Sequence, residues 1–322
     1  MNIKNNTWFI YAVTAGLLWG VWGVVAKLIS EDVNPFMNHL LFTVGMLFTL
    51  PFVIRKCKRR EFNLKGLVWG CLAGCFAIAG NVAVFYAFSK GGQASIVIPV
   101  TNLYPLVTIV IAVLAFKEKL NLVNIAGILV AVPAILLLSG ETLLFTDPSL
   151  FIKGIGLTDW LLFSLAAILF WGIFSAAQKV TTNHISAEWS YLAFVLTSLI
   201  ITLGFMVAGT IQFNVSSKTF SLGALAGMLN GLGVLASFAA YRAEGKAAAV
   251  TTIAGALQPV FTIVLALLLL NENLTAMEFI GIVLAIGGAL MLSYEKKKEQ
   301  IFIVEKDELQ MTMNNVEPFA KG

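Results

Sequence analysis

Ten stretches of this 322-residue chain contain no Asp, Glu, Lys or Arg, and nearly all are long enough to cross a lipid bilayer. They run over 8–26, 35–54, 66–89, 91–116, 120–140, 160–178, 189–217, 219–241, 247–271 and 279–294, the last being marginal in length. In hydrocarbon, every backbone N–H and C=O must find its partner inside the protein, which leaves only helices or a closed barrel. The runs are continuously apolar rather than alternating. The sequence therefore predicts an all-α membrane protein of ten spanning helices. Composition points the same way, with 59% hydrophobic and 12% charged residues and a mean hydropathy of +0.89, far from the balance of a soluble domain. The polar links between spans are too short for an added soluble domain.

The chain also contains itself twice. Trp19-Gly20 is followed by Lys27 and Trp171-Gly172 by Lys179, each Lys eight residues after its Trp. Tyr86 stands nineteen residues before Pro105 and Tyr241 eighteen before Pro259, and each proline is followed thirteen residues later by a glutamate, Glu118 or Glu272. Gly127 and Gly281 then follow after nine more. Duplicated units of this kind build many carriers. Five spans per half is an odd number, so the halves must enter the bilayer from opposite sides as inverted repeats. The boundaries read as 1–140 for the first repeat, 141–157 for an external linker, 158–294 for the second repeat and 295–322 for a cytoplasmic tail. One chain supplies both halves, so a monomer suffices and a homodimer stays open.

Basic residues give the orientation. With both termini on one side, that side holds 17 of the 21 Lys and Arg residues, including the cluster Arg55–Arg60, leaving Lys27, Lys90, Lys153 and Lys218 opposite. The excess places the termini in the cytoplasm of a cell or inner membrane. It also accounts for the net charge of +4 through contact with anionic membrane lipid rather than nucleic acid. The first apolar run is as long as a span and reads as an uncleaved helix. Cys71 and Cys75 lie four apart on one helix face with no His nearby, so they read as packing residues.

At this point the residues carry a resemblance. Trp19-Gly20 with its Lys, Y-A-F-S-K-G-G-Q-A-S-I-V-I-P-V-T-N-L-Y-P from Tyr86, F-K-E-K-L-N-L-V-N-I-A-G from Phe116, and their counterparts Y-R-A-E-G-K-A-A-A-V and L-N-E-N-L-T-A-M-E-F-I-G resemble the EamA family of the drug/metabolite transporter superfamily. The resemblance covers roughly residues 8–294. It implies two inverted five-helix repeats around a central cavity lined mainly by spans 1, 3, 4, 6, 8 and 9, opening alternately to either side. It also implies transport of a metabolite such as an amino acid, nucleoside or sugar, with export favoured.

The residues themselves suggest where such a cavity lies. Pro99 and Pro105 interrupt span 4, and Pro259 occupies in span 9 the place of Pro105. A proline inside a helix frees a carbonyl, which is tolerable only beside protein or cavity water. Pro105 and Pro259 are therefore hinge candidates, or simple kinks. Near them lie Asn102, Tyr104 and Gln258, with Asn81 and Tyr86 in span 3 and Asn230 and Ser237 in span 8. A side-chain amide in lipid costs several kcal/mol unless bonded, so these groups face the bundle interior, either as cavity contacts or as interhelical glue. Trp19, Trp22 and Trp171 add flat surfaces on which a planar or cationic ligand could stack. Together they describe a neutral, hydrogen-bonding site for a small polar or amphipathic molecule.

No Asp or Glu falls inside a span. A proton-driven carrier with a mid-membrane acidic relay is thus not expected, and a facilitator or exchanger is. Lys27 and Lys179, equivalent in the repeats, are either snorkelling residues or a pair of gate residues. Glu118 and Glu272 read as caps or tethers for the helices after the breaks. His39 and His184 fall on opposite sides and cannot share a site. No His-Asp, Cys-His or Ser-Lys arrangement survives the topology, and no phosphate-cradling loop is present, so neither an enzyme nor a cofactor is expected. The alternative to a carrier is an integral-membrane enzyme, which would need such a group gathered at one interface, or a receptor or scaffold without transport activity.

Overall fold

The fold is taken from a computed structural model, which describes residues 7–116, 120–140, 158–243 and 247–294. The expectations for Glu118, for the 141–157 linker and for the 295–322 tail lie outside these residues. The described chain is all-helical, without a strand. In order the helices are α1 (Thr7–Ser30), α2 (Pro35–Leu47), α3 (Leu50–Ile54), α4 (Leu64–Ser89), α5 (Ala94–Thr101), α6 (Pro105–Phe116), α7 (Leu122–Ser139), α8 (Asp159–Thr182), α9 (Ala187–Val207), α10 (Ser217–Arg242), α11 (Ala247–Leu269) and α12 (Ala276–Leu292).

Seven stretches among the described residues are long and apolar enough to cross a membrane: α1, α4, Ala94–Ile111 across α5 and α6, α7, α8, α9 and α10. Three shorter apolar helices, α2, Ile253–Leu269 within α11, and α12, complete the set. The helices begin where short polar side chains can satisfy free N–H groups. Asn34 Oδ1 accepts from the Met37 amide at 2.8 Å with Pro35 at the first turn. Asn63, Ser186 and Ser216 cap α4, α9 and α10 in the same way. Asn121 with Asn124 and Thr275 with Glu278 form reciprocal capping boxes on α7 and α12.

One span expected to be continuous is broken, one expected break is found, and one expected break is missing. The second span divides into α2 and α3 at Phe48-Thr49, just before Pro51. The fourth divides into α5 and α6 at Asn102–Tyr104. Pro259, by contrast, lies inside an unbroken α11. The difference has a side-chain cause. Asn102 Nδ2 donates to the Ile98 carbonyl at 3.0 Å, the same oxygen that accepts the Asn102 backbone amide, and the next two amides tighten to carbonyls three residues back. The second half has Ala256 at the matching place, with no side chain to compete for the ladder.

The helices interleave between halves. α1 packs on α10 and α11, α8 on α4 and α6, α2 on α10, α4 on α9, and α7 on α12. Small residues permit the approach. A Cβ at Gly80 would collide with the pyrrole edge of Trp171, and one at Gly233 with the same edge of Trp19. The largest core, around Trp22, Phe42, Phe85, Trp171, Phe194 and Phe238, joins both halves, and a second lies under α5, α7 and α12.

Candidate functional site

A cavity lies where the two halves meet, with ≈ 620 Å³ not filled by atoms, its open mouth included. α1 contributes Trp19 and Trp22, α4 Asn81, the α5–α6 break Tyr104, α8 Trp171, α10 Asn230, and α11 Gln258. Seven of the nine side chains expected at a binding site thus share one wall. Trp22 is 1% exposed, with its ring centroid 6.1 Å from Trp171 and 6.4 Å from Phe85. Tyr104 meets Trp171 edge-on at 6.5 Å. Asn81 Oδ1 accepts from Trp171 Nε1 at 3.2 Å, so the amide fixes the indole. Asn230 Oδ1 and Trp22 Nε1 are buried without hydrogen-bond partners.

The other two lie elsewhere. Tyr86 stacks on Phe163 at 4.8 Å in an apolar groove between α4, α8 and α9. Asn102 is buried at the helix break, its amide turned back onto Ile98 and its Oδ1 unpartnered. Sequence position gives depth along a helix but not the direction in which a side chain points.

Phe174, Ser175, Gln178 and Tyr241 also line the cavity, and none was anticipated as doing so. Phe174, Ser175 and Gln178 stand three, four and seven residues after Trp171, on the same helix face. Tyr241 stands eleven after Asn230, on the stripe that also holds Val234 and Ser237. That periodicity was the available signal. Gln178 donates to Ser237 Oγ at 3.3 Å, tying α8 to α10. Among the described lining residues none is Asp, Glu, His, Lys or Arg. Nor do the described residues include a His/Cys/Asp/Glu group able to hold a metal.

The lining reaches toward the end of the bundle where α1 begins, through Tyr241 and Val250. At the opposite end, polar contacts tie one half to the other. Thr219 Oγ1 donates to Asp32 Oδ2 at 2.7 Å, Asn34 Nδ2 donates to the Thr210 carbonyl at 2.9 Å, and Lys90 Nζ lies 3.4 Å from Asp159 Oδ2. Glu272 makes the shortest pair: its two oxygens accept the amides of Ala94 and Ser95 at 2.7 and 2.8 Å. It caps α5, whose own N-cap residue Gln93 makes no side-chain bond. The expected cap on a helix after a break is instead a cap on the helix before one, in the other half. Lys27 sits at this end, 3.3 Å from Glu31 in its own helix and 3.4 Å from the Phe88 carbonyl on α4. Lys179 is exposed in the last turn of α8.

The described residues thus form an all-helical bundle of membrane-length helices around a cavity whose described lining is uncharged. The sequence profile described as the EamA-like transporter family matches residues 6–140 and again 158–294. The chain belongs to the EamA-like transporter family, and so to transporters of the drug/metabolite type. An uncharacterized transporter of Clostridium kluyveri is 22% identical over 310 residues, covering 90% of this chain and 94% of that one. An uncharacterized protein of Methanocaldococcus jannaschii is 27% identical over 135 residues, 42% of this chain but 97% of its own length. A solved crystal structure aligns with a TM-score of 0.60 at 20% identity, over 88% of this chain and 94% of that one, a likeness of fold.

Proposed function

We infer that this protein is a carrier that moves a small polar or amphipathic organic metabolite across the cell membrane by alternating access, with the central cavity as its site. The carrying observation is that the cavity sits between halves whose contacts repeat in pairs. Thr262 Oγ1 donates to the Gly20 carbonyl at 2.9 Å, and Thr108 Oγ1 donates to the Gly172 carbonyl at 3.1 Å. Gly233 seats Trp19 as Gly80 seats Trp171, and Gly127 meets Met291 and Leu292 as Gly281 meets Leu137 and Leu138. These pairings support two inverted repeats at 1–140 and 158–294, with 141–157 as external linker. A relative that consists almost wholly of one repeat supports the same division.

On this reading the structure represents the state closed at the Glu272 end and open toward the α1 start, and the excess of basic residues puts that start and the 295–322 tail in the cytoplasm. Cytoplasmic loading favours export. The neutral wall favours an exchanger or facilitator over a proton pump with a buried relay. Both repeats come from one chain, so a monomer in contact with membrane lipid suffices, a homodimer staying open, with neither nucleic acid nor cofactor required.

The test is release from vesicles. Proteoliposomes loaded with an isotopically labelled small-molecule cell extract, with the unlabelled extract outside so that an exchanger can also turn over, are assayed by mass spectrometry for labelled compounds that escape through the parent protein but not through Trp171→Ala. A carrier releases one compound or a chemically related few. Release of nothing, or of every small solute alike, would sink the reading.

A further inference from the structure

The chemistry of the wall narrows the ligand, granted that the cavity is the carrier's site. Charge is the first constraint. The described lining residues offer no counter-ion, so against that wall an anion or cation would shed its hydration with no described group of opposite sign to receive it. Attraction of a cation to an indole face recovers only part of that loss. A zwitterion meets the same penalty at both ends.

Rings are the second. Trp19 and Trp171 are each held by the pyrrole edge, against Gly233 and Gly80, and Trp171 is pinned further by Asn81. Trp171 already meets Trp22 at 6.1 Å and Tyr104 at 6.5 Å, whereas Trp19, half-buried on the cavity wall, has no ring neighbour among the described residues, and an indole face is complementary to another flat ring. Unused hydrogen-bonding capacity is the third. Asn81 spends its oxygen on Trp171 and keeps its NH2, while Gln178 spends its NH2 on Ser237 and keeps its oxygen. Gln258, on the part of the wall that α11 supplies, is buried, and its amide has no hydrogen bond among the described residues. Donors and acceptors are therefore offered side by side, without charge.

We propose that the cavity binds an uncharged planar ring bearing an amide-type donor–acceptor edge, the chemistry shared by heteroaromatic carboxamides, lactams and nucleobases, and that Gln258 pairs with that edge. Three matched probes test this on the full-length protein in lipid nanodiscs, by tryptophan fluorescence and thermal stabilisation. Nicotinamide has the ring, the amide and no charge. Nicotinate keeps the ring but is an anion, and cyclohexanecarboxamide keeps the amide but loses the planar ring. Nicotinamide is expected to bind at least about tenfold more tightly than either. Gln258→Ala should weaken it about tenfold with an unchanged melting temperature of the free protein. Should that variant fail to fold, Gln258→Asn, which keeps the amide but draws it back, should weaken binding in the same direction. Equal or tighter binding of nicotinate or cyclohexanecarboxamide would overturn the proposal, as would no binding of nicotinamide. A charged compound released in the vesicle assay without nicotinamide binding would discard the ligand class and leave the carrier reading standing.

Discussion

At the scale of single residues, what the sequence discloses is cost. Asn81, Asn230 and Gln258 stand out because an amide in an apolar span must be bonded or wet, and all three reach the cavity wall. What it does not disclose is direction around the helix axis, which is why Tyr86 and Asn102 look equivalent to them in the sequence and are not in the fold. The bond between Asn81 and Trp171 yields a direct prediction. Asn81→Ala leaves the indole N–H without a partner and should cost about 1–3 kcal/mol, read as a lower melting temperature together with a shifted tryptophan emission. Asn81→Asp keeps an acceptor in place but adds a charge, so its loss of stability should exceed that of Asn81→Ala. Gly80→Ala tests the seat from the other side. A methyl there collides with Trp171, and overpacking of this kind costs about 1–3 kcal/mol, to be checked by thermal unfolding and by loss of transport.

At the scale of helices, the spans are legible because the bilayer allows few alternatives, and their interruptions are not. Proline is a poor guide on its own: Pro105 starts a helix after a break, Pro259 sits inside one, and Pro51 follows a break that its position near a span end concealed. The deciding group is the amide of Asn102, competing for the Ile98 carbonyl. The cap that Glu272 places on α5 belongs to this scale too, because it joins α11's end to another helix's beginning. Glu272→Ala should cost about 1–2 kcal/mol and loosen that end of the bundle. In a protein lacking Cys57, Cys71 and Cys75, a cysteine placed at Ser95, fully buried in the parent, should react with a maleimide several-fold faster once Glu272 is removed. Unchanged labelling would show that the cap is not what holds the end shut.

For the molecule as a whole, all-helical architecture was readable from hydropathy, while the packing of helices from one end of the sequence on those from the other was not, because contacts such as α1 on α10 leave no periodic trace. Since the halves meet along such extensive faces, two polypeptides severed between residues 140 and 158 and produced together should associate and be recovered as a pair by affinity purification. The neutral wall has a consequence at this scale as well. None of the described lining residues carries a carboxylate, imidazole or amine, so ligand affinity should vary less than about twofold between pH 5.5 and 8, as measured by the fluorescence titration.

The break after α5 has no counterpart in α11. On the proposed alternating-access reading, two halves with similar contacts but unlike interruptions do not store equal conformational energy, so the empty protein would favour one face over the other. A passive carrier biased in this way is kinetically lopsided without being a pump. Its half-saturation concentrations on the two faces differ, its maximal velocities differ in the same ratio, and net flow still vanishes when the concentrations are equal. Measured in vesicles of opposite sidedness, that pair of unequal constants would be the transport-level signature of one asparagine's side chain.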